Sequence, residues 1–143
     1  QRILHPDRFS LKNDADQELA TECSGRVNDA VATLRVPLPR ACYMLRVLHG
    51  IDTEAEGTMQ NDQALLMEVL EIREAVEDAE SYDEDIRPLL EANAVSVASC
   101  MENVSRLLSE PDPDGAKAMV TRWQYYEKIR EEIELWKDRN AVE

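Results

Sequence analysis

The sequence predicts an all-α protein. Three observations carry that prediction. Apolar residues recur at steps of three and four through most of the chain. Glycine and proline are sparse, at 4 and 6 of 143 residues. No alternating, strand-like pattern runs for more than a few positions. The predicted layout is a first unit over residues 1–49, a polar linker over 50–60, and an antiparallel three-helix bundle over 61–143. At 143 residues the chain is long enough to bury a real core without disulfide or metal staples.

The first residues, Gln1 to Leu4, read as the end of a helix that Pro6 stops, because a proline ring bars a helix interior. His5-Pro6-Asp7-Arg8-Phe9-Ser10 is then a loop. From Asp16 to Leu34 the spacing is helical, with Leu19, Cys23, Val27, Ala30, Val31 and Leu34 on the expected apolar face. Val36-Pro37-Leu38-Pro39 interrupts it. A second helix follows over about Leu38 to Leu48, with Ala41, Leu45 and Leu48 turned to one side, and Gly50 ends it. Residues 51–61 are polar, and Asn61 or Asp62 caps the next helix.

That next helix, within Asp62 to Glu80, has two apolar faces where a surface helix needs one. At about 100° per residue, Leu65, Val69, Ile72 and Val76 share one side, a core stripe. Leu66 and Leu70 fall roughly opposite, with Met67, Glu71 and Glu74 beside them. An apolar patch rimmed by carboxylates and pointing away from the core asks for a cover, either another helix or a partner protein.

An acidic turn over Ser81 to Asp85 leads into a helix with Ile86, Leu90, Ala94, Val97, Met101, Val104 and Leu108 at near-heptad spacing. Pro88 marks its first turn. Residues 110–115, EPDPDG, form a turn. The last helix runs from about Asp114 to Arg139, with Ala116, Met119, Val120, Trp123, Tyr126 and Ile133 facing the core. Tyr125 points roughly 160–180° away from Trp123 and is a second candidate contact.

Composition narrows the function. A net charge of −14 opposes nucleic-acid binding, which needs cations on phosphates, and opposes anionic membrane surfaces. It permits a basic protein partner. Cys23, Cys42 and Cys100 form no CxxC and are odd in number, which reads as free thiols in a reducing compartment. No nucleophile pattern, phosphate loop or metal-ligand spacing is present, so neither an enzyme, a metal site nor a cofactor is expected.

One motif remains. HPDRF, at residues 5–9, follows a helix end and precedes a long helix. With SGRVNDAVATLRVPLPRACYML further on, it resembles the second half of a J-domain of the HscB/Jac type, the J-proteins of iron–sulfur cluster biogenesis. ALLMEVLEIREAVEDAE resembles the opening of that family's C-terminal domain. The resemblance covers nearly the whole chain. It implies the C-terminal part of a J-domain, an HPD loop plus helical hairpin, joined to a scaffold-binding three-helix bundle. It implies that His5, Pro6 and Asp7 engage a DnaK-type heat shock protein 70 chaperone and stimulate its ATPase. It implies that Leu66, Met67, Leu70, Glu71, Glu74 and Tyr125 hold the iron–sulfur scaffold protein of the IscU/Isu type. The protein would be an adaptor without catalysis of its own.

The family pattern is not fully matched. The first J-domain helix and most of the second are missing, so a chain of this extent is expected to stimulate the ATPase poorly. The paired CxxC zinc motifs of some animal members are absent. Tyr125, where bacterial members carry phenylalanine, leans toward a fungal mitochondrial member and so toward the mitochondrial matrix, with the bacterial cytoplasm as the alternative. The competing reading is a plain acidic helical interaction module with no chaperone partner. In it, Leu66 and Leu70 pack within the chain and Tyr125 is a core residue. Exposure of those side chains separates the two.

Overall fold

The computed structural model describes residues 14–53, 62–110 and 112–142. The His5-Pro6-Asp7 loop, the helix end expected before it and most of the expected linker lie outside the described residues. Among the described residues the protein is all helical: α1 (Asp14–Arg35), α2 (Pro37–His49), α3 (Gln63–Glu77), α4 (Arg87–Ser109) and α5 (Pro113–Arg139). A π-type turn over Tyr82–Ile86 precedes α4. The chain divides into two compact units after Arg40.

In the first unit the expected interruption between α1 and α2 is a single residue, Val36. Its N–H still reaches the Ala32 carbonyl at 3.4 Å, and its own carbonyl accepts from Arg40 at 3.1 Å. Proline at the first position of α2 lacks an N–H that would be orphaned there anyway. The expected apolar face of α1 is corrected. Leu19 is 58% exposed, and Val31, Leu34 and Ala30 are also exposed, while Ala20 and Ser24 are buried.

The second unit begins inside α2, where Ala41 and Leu45 are buried as expected but Leu48 is exposed. Gly50 ends α2 at φ +67°, a conformation that costs glycine nothing. Its N–H donates to the Arg46 carbonyl at 3.0 Å.

The bundle of α3, α4 and α5 is built around α5, which packs along both neighbours and most extensively along α4. Three polar links order α3 against α5. Arg122 pairs with Asp62, Tyr126 with Glu68, and Arg73 with Glu132. The partner numbers rise together, so α3 and α5 run parallel and α4 returns between them, as an up-down-up bundle requires. Asp62 caps α3, accepting from the Leu65 N–H at 3.0 Å. Ser81 caps the π-type turn, and Asp85 accepts from the N–H groups of Glu80 and Ser81 at 3.0 and 2.9 Å. Asp112 caps α5 through the Gly115 N–H at 2.9 Å. A Cβ at position 115 would run into that carboxylate, which is why a glycine fits there.

The core holds Leu65, Val69 and Val76 from α3, with Ala116, Val120, Trp123, Tyr126, Ile129, Ile133 and Trp136 from α5. Ile72 and Met119, expected there, are half-buried. The seam expected on α4 is rotated. Ile86 and Val104 are buried, but Asn93 and Cys100 take the places between them, while Ala94 and Met101 are exposed. The face turned inward is the one from which the Asn93 amide reaches α5. Asn93 is accommodated because its Nδ2 donates to the Tyr126 carbonyl at 3.0 Å.

Candidate functional site

The second face of α3 is open. Met67 is 59% and Leu70 52% exposed, Glu71 and Glu74 are exposed, and Leu66 is half-buried. The same helix buries Leu65 to 1% and Val69 to 3%. Neighbouring residues thus have opposite environments, as the 100° step dictates. The five outward residues span an arc of roughly 140° on one helix.

Tyr125 joins this face through the geometry of the seam. Arg73 and Glu132 form a two-point salt bridge, Nε–Oε2 at 3.1 Å and Nη2–Oε1 at 2.6 Å. Arg73 stands seven residues after Leu66, and Glu132 seven after Tyr125. Seven residues are two turns less about 20°, so each pair shares one side of its helix. Because α3 and α5 run parallel, the salt bridge marks the side and spacing at which Leu66 and Tyr125 stand two turns earlier. Tyr125 is half-buried, and the Lys128 ammonium lies 5.3 Å from its ring centroid. That contact fixes the ring from the solvent side. Trp123, two residues earlier, is 2% exposed.

Under this face lies a polar support. The Tyr126 hydroxyl donates to Glu68 Oε1 at 2.9 Å. Burial first, then that carboxylate, pushes the Tyr126 hydroxyl up to about 12. Asp62 is held below the ordinary carboxylate range, chiefly by the Leu65 N–H and further by Arg122, against a smaller opposing effect of burial. Burial pushes the Cys100 thiol up, which suits an inert core cysteine. Beyond the Arg73–Glu132 bridge the seam opens into a cleft of about 710 Å3, where Leu135 is 59% exposed between Val76 and Arg139. Lys128, the Arg73–Glu132 bridge and this cleft went unnoticed in the sequence. The seven-residue offset between two outward pairs was the signal available for the bridge.

The arrangement is an apolar strip with an acidic rim. Fold and composition together define an all-α, acidic protein. The comparisons make that class particular. The family model described as the HSCB C-terminal oligomerisation domain matches residues 61–134. The iron–sulfur cluster co-chaperone protein HscB of Homo sapiens is 34% identical over 139 residues, covering 96% of this chain and 57% of that protein. A co-chaperone protein HscB homolog of Burkholderia thailandensis is 33% identical over 135 residues, covering 93% of this chain and 77% of the homolog. The crystal structure of human co-chaperone HscB superposes with a TM-score of 0.86 at 33% identity, over 96% of this chain and 68% of that one. The chaperone HscB from Vibrio cholerae also gives 0.86, at 26% identity, over 97% and 83%.

The chain belongs to the HscB co-chaperone family. It spans a little over half the length of the human relative, at 57%. No helix among the described residues is long and apolar enough to cross a membrane.

Proposed function

We infer that this chain is a co-chaperone adaptor of iron–sulfur cluster biogenesis. It carries the iron–sulfur scaffold protein, of the IscU/Isu type, to a DnaK-type heat shock protein 70 chaperone. The observation that carries the reading is the outward face of α3, where Met67 and Leu70 stand in solvent and Leu66 is half-buried beside Glu71 and Glu74, while Leu65 and Val69 fill the core. A soluble helix gains nothing for its own stability from exposed leucine and methionine, so the patch is explained by a partner. Membership of a family of co-chaperones supports a partner of that kind.

In this reading Leu66, Leu70 and Tyr125 form the apolar centre of the contact. Glu71 and Glu74 steer a basic scaffold surface toward it. The bidentate Arg73–Glu132 bridge and the Tyr126–Glu68 hydrogen bond hold α3 and α5 at a fixed spacing, so the three apolar side chains meet the scaffold preorganised. The J-type part, residues 1–49, presents His5, Pro6 and Asp7 to the chaperone. Asp7 accepts from a basic group there. That contact stimulates ATP hydrolysis by the chaperone. Residues 50–60 link the two parts, and 61–143 hold the scaffold. Engaging both partners raises the effective concentration of scaffold at the chaperone. The chain supplies binding and leaves the chemistry to the chaperone. The site of action is the mitochondrial matrix, or the cytoplasm in a bacterial member.

Sedimentation of chaperone, scaffold and chain together tests this. A three-component species should form with the native chain and be lost with Asp7→Asn on the chaperone side or Leu70→Ala on the scaffold side. A chain that binds scaffold but never joins it to the chaperone would reduce the function to scaffold binding alone.

A further inference from the structure

The face around Leu66 and Leu70 is small for a specific contact. Such contacts take roughly 20–30 residues a side, and this face has six, Tyr125 included. Two rows of side chains continue past it. On α3, Leu66, Leu70, Arg73 and Glu77 follow at steps of four, three and four. On α5, Tyr125, Lys128, Glu132, Leu135 and Arg139 follow at steps of three, four, three and four. That spacing keeps to one side of a helix. Between the rows, past the Arg73–Glu132 bridge, lies the cleft of about 710 Å3. Its apolar lining is Val76, buried to 4%, and Leu135, 59% exposed. Tyr126, Ile129, Ile133 and Trp136 are all buried, so Leu135 alone among the apolar residues of α5 beyond Tyr125 stands in solvent. The fold gains nothing from holding it there.

We propose that this cleft is a second seat for the scaffold protein, taking an apolar side chain of that partner with a basic residue beside it. The proposal rests on the adaptor reading and lengthens its contact. From the level of Leu70 to that of Leu135 is about six residues, or about 9 Å along the helices. Two observations select the occupant. The first is continuity, since the rows that carry Leu66 and Tyr125 also line the cleft. The second is charge. Glu71, Glu74 and Glu77 follow at steps of three, so each lies about 60° round α3 from the last. The acidic row thus winds toward the side of Leu66 and ends with Glu77 lining the cleft. Glu77 and, across from it on α5, Asp138 are exposed and form no salt bridge among the described residues. The Arg73 guanidinium is already committed to Glu132, and Arg139 turns its Nε back to the Leu135 carbonyl at 3.3 Å. Two carboxylates are left to receive a cation, which is what a basic surface steered by Glu71 and Glu74 brings.

Calorimetric titration of the full chain with an iron–sulfur scaffold protein tests this. Leu135→Ala should weaken binding about fivefold and Leu135→Glu at least tenfold, with circular dichroism and the urea midpoint unchanged. Glu77→Lys should weaken it about threefold, and that loss should shrink as salt rises. Val95→Glu adds the same charge at a side chain that is 71% exposed on α4, and it should bind as the native chain does. Leu70→Ala reads the adaptor contact itself. Binding lost with Leu70→Ala but native with both Leu135 variants would overturn the second seat and leave the adaptor reading standing. An equal loss with Val95→Glu, or unchanged binding by Glu77→Lys, would overturn the proposed occupant. No binding by the native chain would remove the adaptor reading and the second seat together.

Discussion

Arg73 on α3 and Glu132 on α5 are joined by two hydrogen bonds, at 3.1 and 2.6 Å, seven residues beyond Leu66 and Tyr125 respectively. The same seam therefore carries an ion pair at one level and an apolar pair two turns earlier. The ion pair is part-exposed and contributes little to stability by itself. In the proposed adaptor its value is geometric, since it holds the spacing of the two helices that carry Leu66, Leu70 and Tyr125.

The two faces of α3 should separate cleanly under substitution. Leu65→Ala removes a side chain that is 1% exposed, and unfolding by urea should show a loss of about 2–5 kcal/mol. Leu70→Ala removes one that is 52% exposed, and the same measurement should move by no more than about 0.5 kcal/mol. Scaffold affinity should fall only in the second, once the first is compared at a temperature where it is folded.

Alkali should destabilise the bundle through Tyr126. Its folded-state value of about 12 stands above the roughly 10 of an unfolded tyrosine. The protonated phenol is favoured in the fold, so its contribution is complete below pH ~10 and is lost as pH rises toward about 12. Tyr126→Phe should flatten the fall in melting temperature across that window. An unchanged slope would mean that the phenol is not the group responsible.

At the acid end the sign reverses. Asp62 is depressed, by the Leu65 N–H first and with help from Arg122. Its stabilising effect is present above the ordinary carboxylate value of about 4 and disappears as pH falls through its lower folded value. Asp62→Ala should cost about 1–2 kcal/mol at neutral pH, the range for a lost helix cap. It should also remove part of the acid dependence seen in thermal unfolding.

Charge and apolar contact should appear in different rate constants. Glu71→Gln with Glu74→Gln should slow scaffold association and weaken its dependence on salt. Leu66→Ala should leave association nearly alone and speed dissociation. Surface plasmon resonance at two ionic strengths distinguishes these, and a purely dissociative effect of the glutamates would discard the steering role.

Much of this was legible in the sequence because helices impose a fixed period. The 100° step alone separates Leu65 from Leu66 and Trp123 from Tyr125, and capping chemistry found Asp62, Pro88 and Gly50. The period could not place α4. A near-heptad reading chose Ala94 and Met101 for the core, yet Asn93 and Cys100 are inside, because the contact with α5, where the Asn93 amide meets the Tyr126 carbonyl, decided which face of α4 turned in. On α1, likewise, Ala20 and Ser24 are covered rather than Leu19 and Leu34. The pairing of Arg73 with Glu132 depends on which helices run parallel. That is set by the whole topology.

The most direct measurement is titration of the purified chain with an iron–sulfur scaffold protein by isothermal calorimetry, beside the triple variant Leu66→Ala/Leu70→Ala/Tyr125→Ala. Circular dichroism confirms that the variant is folded. The adaptor reading predicts saturable binding by the native chain and a loss of at least a hundredfold in the variant, about 3 kcal/mol. Equal binding by both, or none by the native chain, would contradict it.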